Sequence, residues 1–208
     1  MAMDTVSAAA AGTHDLGDGL VVNRMGYGAM QLAGPGVFGP PRDIDAAVAV
    51  LREAVNSGVN HIDTSDYYGP HVVNELIREA LHPYPEHLAL VSKVGARRDE
   101  HGGWLPYAEP DQLRAGIEEN LRTLGVDRLA AVNLRLLDGT GPDQHFDDQL
   151  DAMVKAREDG LIAGVGLSNV TLEHLLHALG RTEIACVQNP FNLIDRSSQP
   201  ILDECTAR

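Results

Sequence analysis

The sequence predicts an α/β protein built on a parallel β-sheet. Short apolar segments alternate with longer amphipathic segments along the chain, and most of the apolar segments end in a polar side chain. The 208 residues contain no low-complexity insertion and no recognisable linker, so we expect a single domain. We assign residues 1–12 to a flexible N-terminal tail and residues 13–208 to this domain.

Six segments have the apolar spacing and the end signals of α-helices. Asp43–Gly58 begins with an acidic residue and ends in a glycine, and Glu109–Gly125 has Asp111 as its expected cap. Thr171 is the expected cap of a later helix. The other three helices are predicted over residues 72–84, 146–160 and 199–208.

The strands predicted between these helices are short and apolar. In chain order they are Val21–Met30, Val59–Asp63, Leu88–Lys93, Leu129–Leu136, Ile162–Ser168 and Ile184–Asn189. We expect these six strands to be parallel, because a helix separates each strand from the next. The polar, glycine-containing segment Thr13–Gly19 predicts a small hairpin before the first of them.

The charge balance and the cysteines limit the kinds of partner and compartment. With 30 acidic and 16 basic residues, the net charge of −14 argues against nucleic acid and anionic membrane surfaces. No apolar run reaches the roughly 18–20 residues of a membrane span, and Asp4 stands where a signal peptide carries a basic residue. Cys186 and Cys205 form no disulfide framework. We therefore expect a cytoplasmic protein with no nucleic-acid or membrane partner.

Polar residues at the strand ends distinguish between two arrangements of a parallel sheet. A doubly wound nucleotide-binding sheet needs a glycine-rich loop after its first strand, and GYGAMQLAG (residues 26–34) lacks the GxGxxG pattern. In a (β/α)8 barrel the carboxyl ends of all strands meet at one mouth, where active sites lie. The polar residues at these ends are Gln31, Asp63, Lys93, Asn133, Arg135, Ser168, Asn169, Gln188 and Asn189. The pattern favours the barrel.

Five segments occur in the order and spacing of one enzyme family. They are HIDTSDYYG (61–69), LVSKVG (90–95), LGVDRLAAVNLRL (124–136), GLIAGVGLSN (160–169) and CVQNPFN (186–192). From about Val21 to the C-terminus the chain therefore resembles the aldo-keto reductases. The resemblance implies a (β/α)8 TIM-barrel fold and an oxidoreductase that reduces the carbonyl group of a small aldehyde or ketone with NADPH.

The chain is short for such a barrel, which needs about 250 residues. It reaches only the sixth helix, so we expect about six βα units and a chain truncated at its C-terminus. The resemblance places the groups that bind the adenosine 2′-phosphate beyond Arg208. A six-unit sheet would leave two open edges, and we therefore expect this chain to self-associate.

The resemblance assigns the reaction to three residues: Tyr68 as proton donor, Lys93 as the cation that lowers the pKa of its phenol, and Asp63 as the partner of Lys93. The chemistry agrees, because a phenol with a pKa near 10 is a weak acid unless a neighbouring cation favours its phenolate. Strand alternation supports the pair independently, since His61 and Asp63 share one strand face, as do Val91 and Lys93. The alternative is that Asp63 caps the next turn and Lys93 is a solvated strand end.

The sequence departs from the family at the fourth catalytic position. The family has a histidine that orients the carbonyl, whereas alignment on LGVD places Arg135 there. Arg135 shares a strand face with Asn133, so we expect it to point into the barrel and hold the carbonyl oxygen or an anionic substrate. The alternative is that Arg135 pairs with a carboxylate of the barrel. A second function also stays open, a catalytically altered or inactive barrel that senses or binds a nucleotide.

The resemblance also assigns the cofactor contacts. The residues expected to contact NADP(H) are Gly28, Met30, Gln31, Asp63, Ser168, Asn169 and Gln188. Among them, the hydroxyl and amide groups of Ser168, Asn169 and Gln188 are expected to bind the nicotinamide carboxamide, and the others lie near the ribose. Trp104, in the glycine-rich segment after the third strand, is expected to wall the substrate pocket. No metal site is predicted.

Overall fold

The computed structural model describes residues 7–16, 20–137 and 141–208, and over these residues it shows a curled parallel sheet with helical crossovers. The strands are β1 (Thr13–Asp15), β2 (Val21–Asn23), β3 (Tyr27–Gly28), β4 (His61–Asp63), β5 (Ala89–Arg98), β6 (Trp104–Tyr107), β7 (Leu129–Arg135), β8 (Ile162–Ser168) and β9 (Cys186–Gln188). The α-helices are α1 (Ile44–Asn56), α2 (Val72–Leu81), α3 (Pro110–Leu124), α4 (Gln144–Glu158), α5 (Leu172–Leu179) and α6 (Gln199–Ala207).

The sheet follows the order of the chain. Its strands are arranged β3-β4-β5-β7-β8-β9, and every neighbouring pair in this order is parallel. The predicted α/β class and the six parallel strands are therefore confirmed. Within the described ranges, no helix is long and apolar enough to cross a membrane.

The two faces of the sheet differ in chemistry because side chains alternate along each strand. The face toward the helices is mainly apolar, with Leu90, Val94, Val132, Leu134, Val165 and Leu167 all buried in the core. On α3, a Cβ atom added to Gly116 would meet Val94 at 3.1 Å, which shows how closely this helix approaches the sheet. The opposite face carries Lys93, Asn133 and Ser168 among small residues, so the polar groups are gathered inside the curl.

The helix caps follow the sequence signals with one exception. Asp43 Oδ1 accepts a hydrogen bond from Ala46 N at 2.8 Å, and the Thr171 hydroxyl caps α5 as predicted. The cap of α3 was predicted to be Asp111 but is Glu109, because Pro110 occupies the first helical position, where its missing N–H costs nothing. Gly125 ends α3 in the left-handed conformation, with φ of 70°.

The predicted first strand is two strands with different partners. Val21–Asn23 pairs antiparallel with Thr13–Asp15, which gives the expected hairpin, although its residues 17–19 lie outside the described ranges. Tyr27–Gly28 alone enters the parallel sheet, beside β4. The chain bends between them at Arg24, and at Gly26 it passes so close to β4 that a Cβ atom would lie 2.9 Å from His61 Nδ1. A prediction of one continuous strand over Val21–Met30 was therefore wrong.

Part of the predicted flexible tail is ordered. Residues 1–6 lie outside the described ranges, but Ala8–Ala11 form a short 3-10 helix, and Ala8 N donates to Ser57 O at 2.8 Å. The hydroxyl of Ser7 accepts a hydrogen bond from Ala9 N at the start of this turn. Residues 7–11 are thus attached to the end of α1, and the domain limits of 1–12 and 13–208 stay a prediction.

The third strand of the sheet is longer than predicted. β5 continues five residues beyond Lys93 to Arg98, and its extension pairs antiparallel with β6. Trp104 was predicted in a loop, but it lies in β6 opposite Arg98. The extension rises above the carboxyl end of the sheet and forms one side of the mouth.

Candidate active site

A buried ion pair joins β4 to β5 inside the curl. Lys93 Nζ lies 2.6 Å from Asp63 Oδ2 and donates a second hydrogen bond to Thr64 O at 2.9 Å. The Lys93 side chain is only 2% exposed. Register explains the contact, because Asp63 lies opposite Val91 and Lys93 is the next residue on the same face of β5. Each charge thereby offsets part of the desolvation cost of the other.

Tyr68 lies next to this pair, in the segment between β4 and α2. Its side chain is 6% exposed, and Lys93 Nζ lies 5.1 Å from the centre of its ring. The backbone holds the segment in place, since Tyr68 N donates to Ser65 O and Val73 N donates to Tyr68 O. The structure therefore brings Asp63, Tyr68 and Lys93 together, as the family resemblance implied.

The pKa of Tyr68 is raised above its ordinary value. Burial of the phenol is the main cause, the negative charge of Asp63 adds to it, and the positive charge of Arg135 acts in the opposite direction. Lys93 was expected to lower this pKa, but its charge is matched by Asp63 at hydrogen-bond distance, and burial dominates. The phenol therefore stays protonated throughout the neutral pH range.

Arg135 lies in the row of residues nearest the mouth. It is opposite Ser168 in the β7–β8 register, and Nη1 donates to the Ser168 hydroxyl at 3.2 Å. Across the described residues its guanidinium makes no ion pair, so the carboxylate partner considered from the sequence is not found there. Gly95 on β5 allows the close approach, because a Cβ atom there would lie 2.4 Å from Arg135 O.

Two features suit the nicotinamide ribose of a bound dinucleotide. A Cβ atom added to Gly28 would meet nothing within 4 Å, so this position opens onto free space at the mouth. Asp63 Oδ1 is buried and has no hydrogen-bond partner in the described part of the chain, although Oδ2 is paired. A ribose hydroxyl is a donor that would satisfy this oxygen. Met30 and Gln31 follow as the exposed residues of the 3-10 helix Ala29–Leu32.

The residues expected at the carboxamide lie together at the ends of β8 and β9. Ser168 and Gln188 are opposite each other in the register, and Asn169 N donates to Gln188 O at 3.1 Å. Two of the three side chains already have partners, since the Ser168 hydroxyl accepts from Arg135 and Asn169 Nδ2 donates to Leu136 O at 2.7 Å. The hydroxyl and amide groups of these three residues therefore match the donor and the acceptor of a nicotinamide carboxamide. Gln188 is the one whose side chain is not already engaged by the two hydrogen bonds just described.

Trp104 contacts the neighbouring tyrosine rather than Tyr68. Its ring packs edge-on against Tyr67 at 5.3 Å between centres, and the Arg98 guanidinium lies 4.0 Å above it. Arg98 Nη2 also donates to Gly36 O at 2.8 Å, which ties the β5–β6 hairpin to the loop before α1. With 45% of its surface exposed, Trp104 can meet a ligand at the mouth.

A buried polar network on the helix side of β4 and β5 was missed by sequence reasoning. The Thr64 hydroxyl donates to Asn74 Oδ1, Asn74 Nδ2 donates to Asn120 Oδ1, and the Ser92 hydroxyl donates to the same oxygen. All four residues are at most 1% exposed. The network holds Thr64, whose carbonyl binds Lys93. Its sequence signal was Asn120, a polar residue within the apolar stripe of α3.

A second titratable cluster lies outside the curl, where the segment before α2 meets α3. One ligand atom each from Asp66, His71 and Glu119 lie within 4.8 Å of one another, a set that could hold a cation. However, His71 Nδ1 already lies 2.9 Å from Asp66 Oδ1, and Glu119 pairs with Arg122. We therefore assign the cluster to the packing of the segment that carries Tyr68.

Comparison with known proteins agrees with this geometry. The profile of the Aldo/keto reductase family matches residues 24–208. Pyridoxine 4-dehydrogenase of Escherichia coli is 52% identical over 185 residues, which make up 88% of this chain and 65% of that protein. The family match therefore includes every residue of the candidate site.

Solved structures share the fold. Aldo-keto reductase AKR11C1 of Bacillus halodurans, in its holo form, superposes with a TM-score of 0.78 at 24% identity, covering 92% of this chain and 62% of that one. An aldo/keto reductase of Klebsiella pneumoniae, solved with NADP and acetate, gives 0.68 at 24% identity, covering 90% and 61%. The chain thus spans just under two thirds of the length of these proteins.

These likenesses confirm the TIM-barrel class, of which this chain forms a curled part with six parallel strands. They also confirm the family inferred from the five sequence segments, since its profile extends over nearly the whole chain. On both grounds, the chain belongs to the aldo/keto reductase family of oxidoreductases.

Proposed function

We propose that this chain carries the proton-transfer site of an NADPH-dependent reductase that converts a carbonyl group into an alcohol. The observation that carries the proposal is the buried Asp63–Lys93 pair beside the buried phenol of Tyr68. A protein that only binds a nucleotide has no need for a lysine that is 2% exposed next to a tyrosine. Family membership supports the proposal, and the residues lie on the carboxyl ends of the strands, where barrel enzymes act.

In this proposal Tyr68 supplies the proton to the carbonyl oxygen, and NADPH, when bound, would supply the hydride to the carbonyl carbon. The raised pKa of Tyr68, caused mainly by burial, keeps the proton in place before the reaction. Arg135 is the cation whose charge favours the phenolate that remains, and Lys93 Nζ lies 5.1 Å from the centre of the ring. Solvent then returns a proton to Tyr68.

We place the nicotinamide end of the cofactor between two groups of residues. Gly28, Met30 and Gln31 lie on the ribose side together with the unpaired Asp63 Oδ1. The carboxamide side consists of Ser168, Asn169 and Gln188. A Klebsiella pneumoniae protein of this fold was solved with NADP, which supports the choice of cofactor.

For the substrate we propose an aromatic aldehyde and alcohol pair of the pyridoxal and pyridoxine type. The support is the 52% identity with a pyridoxine 4-dehydrogenase. Trp104, exposed at the mouth, would contact such a ring. The two free cysteines suit a reducing cytoplasm, and the exposed Leu193 and Ile194 suit self-association of this chain.

Adjacent tyrosines provide a matched test. Tyr67 and Tyr68 are 5% and 6% exposed, with ring centres 5.4 Å apart. In the protein expressed from its complete reading frame, Tyr68→Phe should reduce NADPH-dependent turnover of pyridoxal by about 10²-fold to 10⁴-fold. Tyr67→Phe should keep most of the activity, and both variants should bind NADPH as the parent does.

Retained turnover in Tyr68→Phe would remove Tyr68 from its proposed role. If the parent protein binds NADPH but reduces none of a panel of aldehydes and ketones, the reductase proposal fails. The nucleotide-sensing or nucleotide-binding subunit would then be the better function.

A further inference from the structure

Arg135 offers more hydrogen-bond donors than the reduction of a simple carbonyl requires. A guanidinium has five N–H groups in a planar fork, and among the described residues the guanidinium of Arg135 has one hydrogen-bond partner, the Ser168 hydroxyl at 3.2 Å on Nη1. Throughout the described ranges no carboxylate forms an ion pair with it. Its positive charge acts on Tyr68 and Tyr67 in the site. We therefore expect this partly buried cation, which has unpaired N–H groups next to Tyr68, to bind an anionic ligand.

The position of Arg135 is fixed by the sheet and not by a flexible loop. Arg135 is the last residue of β7, directly opposite Ser168, and its carbonyl lies against Gly95 on the other side. Lys93 and Asn133 form the next row deeper in the curl, also opposite each other. The guanidinium is therefore presented one row nearer to the mouth than Lys93, where a substituent beside the reacting carbonyl would lie.

The shape of the fork matches a pair of neighbouring oxygens. In an aromatic aldehyde with a hydroxyl on the adjacent ring carbon, the two oxygens lie within hydrogen-bond distance of each other. Two parallel N–H groups can donate to both, whereas an imidazole presents one N–H in that direction. In a 3-hydroxypyridine the hydroxyl ionises readily because the ring nitrogen withdraws electrons, so one of the two oxygens is anionic.

We propose that Arg135 is a specificity-determining residue that selects carbonyl substrates with an ionised hydroxyl on the carbon next to the one bearing the carbonyl. This inference rests on the proposed reductase function of the site, and it deepens that function by naming the feature of the substrate that is recognised. In the reduction the carbonyl carbon would gain a hydride from NADPH, and the carbonyl oxygen would gain the proton of Tyr68. The neighbouring oxygen would stay ionised and bound to Arg135.

The test compares two aldehydes that differ by one hydroxyl, 3-hydroxypyridine-4-carbaldehyde and pyridine-4-carbaldehyde. With the protein from its complete reading frame, kcat/KM for the hydroxylated aldehyde should be higher by at least about 10-fold, the value expected for a charge-assisted hydrogen bond. Arg135→Met should bring this ratio close to one. A general loss of rate in the variant cancels in the ratio, so only selective recognition is measured.

Arg135→Lys is the second variant, because it keeps the charge and removes the fork. It should retain part of the preference, and its circular dichroism and thermal unfolding should match those of the parent. A parent ratio near one, or an unchanged ratio in Arg135→Met, would overturn the inference while leaving the reductase function intact. If the parent reduces neither aldehyde and no other carbonyl compound, the proposed function itself fails, and the inference fails with it.

Discussion

The centre and the edge of the sheet are built in different ways. At the centre, β4 and β5 carry the Asp63–Lys93 pair on one face and a buried network with Asn120 on the other. At the edge, β9 has three half-buried residues, and the segment after it exposes Leu193 and Ile194 by 92% and 97%. Both regions belong to the candidate site, but only the first is enclosed on both sides.

This difference separates the two tasks of the site. The proton-transfer groups are fixed by buried side-chain contacts that use both faces of the strands, so their geometry is determined within this chain. The groups assigned to the carboxamide are held by single side-chain hydrogen bonds of Ser168 and Asn169 and by the backbone contact of Asn169 N to Gln188 O. We therefore expect substitutions at the centre to affect stability and activity together, and substitutions at the edge to have small effects on stability.

The largest effect is expected from breaking the buried ion pair. Lys93→Met leaves the Asp63 carboxylate without its partner, and the free energy of unfolding should fall by about 3–5 kcal/mol. Adding Asp63→Asn removes the charge that was left behind, so the double variant should be more stable than the sum of the single effects predicts. Urea unfolding of the parent, the two single variants and the double variant measures the coupling energy between Asp63 and Lys93. A Lys93→Met variant as stable as the parent would show that the pair contributes no more than an exposed one.

A smaller effect is expected at the network behind the pair. Asn120→Ala leaves Ser92 and Asn74 with unmet hydrogen bonds in a dry environment, and should cost about 2–3 kcal/mol. Asn189 is the matched control at the edge, since it exchanges hydrogen bonds with the backbone of Val170 but is only half-buried. Asn189→Ala should cost about 1 kcal/mol, because water can replace the lost partners. If thermal or urea unfolding showed the same loss of unfolding free energy in Asn120→Ala and Asn189→Ala, the distinction between centre and edge would be contradicted.

The smallest effect on stability is expected beyond β9. Replacing both Leu193 and Ile194 by serine should change the free energy of unfolding by less than about 0.5 kcal/mol, because neither side chain is buried. The same change should reduce any self-association of the 208-residue chain, since it removes two exposed apolar groups. Sedimentation velocity at several concentrations tests this, with Leu202→Ser on α6 as a less exposed control. Association that persists unchanged in the double variant would assign it to another surface.

The centre was also the more predictable region. The family resemblance paired Asp63 with Lys93, strand alternation agreed with it, and the structure gives the contact directly. The β5–β6 extension was not predictable, because β6 is four residues long and contains Pro106, which weakens a strand signal. The direction of the Tyr68 pKa shift also escaped prediction, since burial of a loop residue depends on packing between distant segments.

Gly28 has a consequence for selection experiments. Its backbone is ordinary, with φ of −87°, and a Cβ atom there would meet nothing within 4 Å. The fold therefore leaves room for a Cβ atom at this position, unlike Gly95, where φ is 109° and a Cβ would collide with Arg135 O. In a saturation library, variants at position 28 should survive a screen for folding and disappear from a screen for turnover, whereas variants at position 95 should disappear from both. Positions at which variants fold but lose turnover would thus identify the residues that contact the ligand, without a structure of the complex.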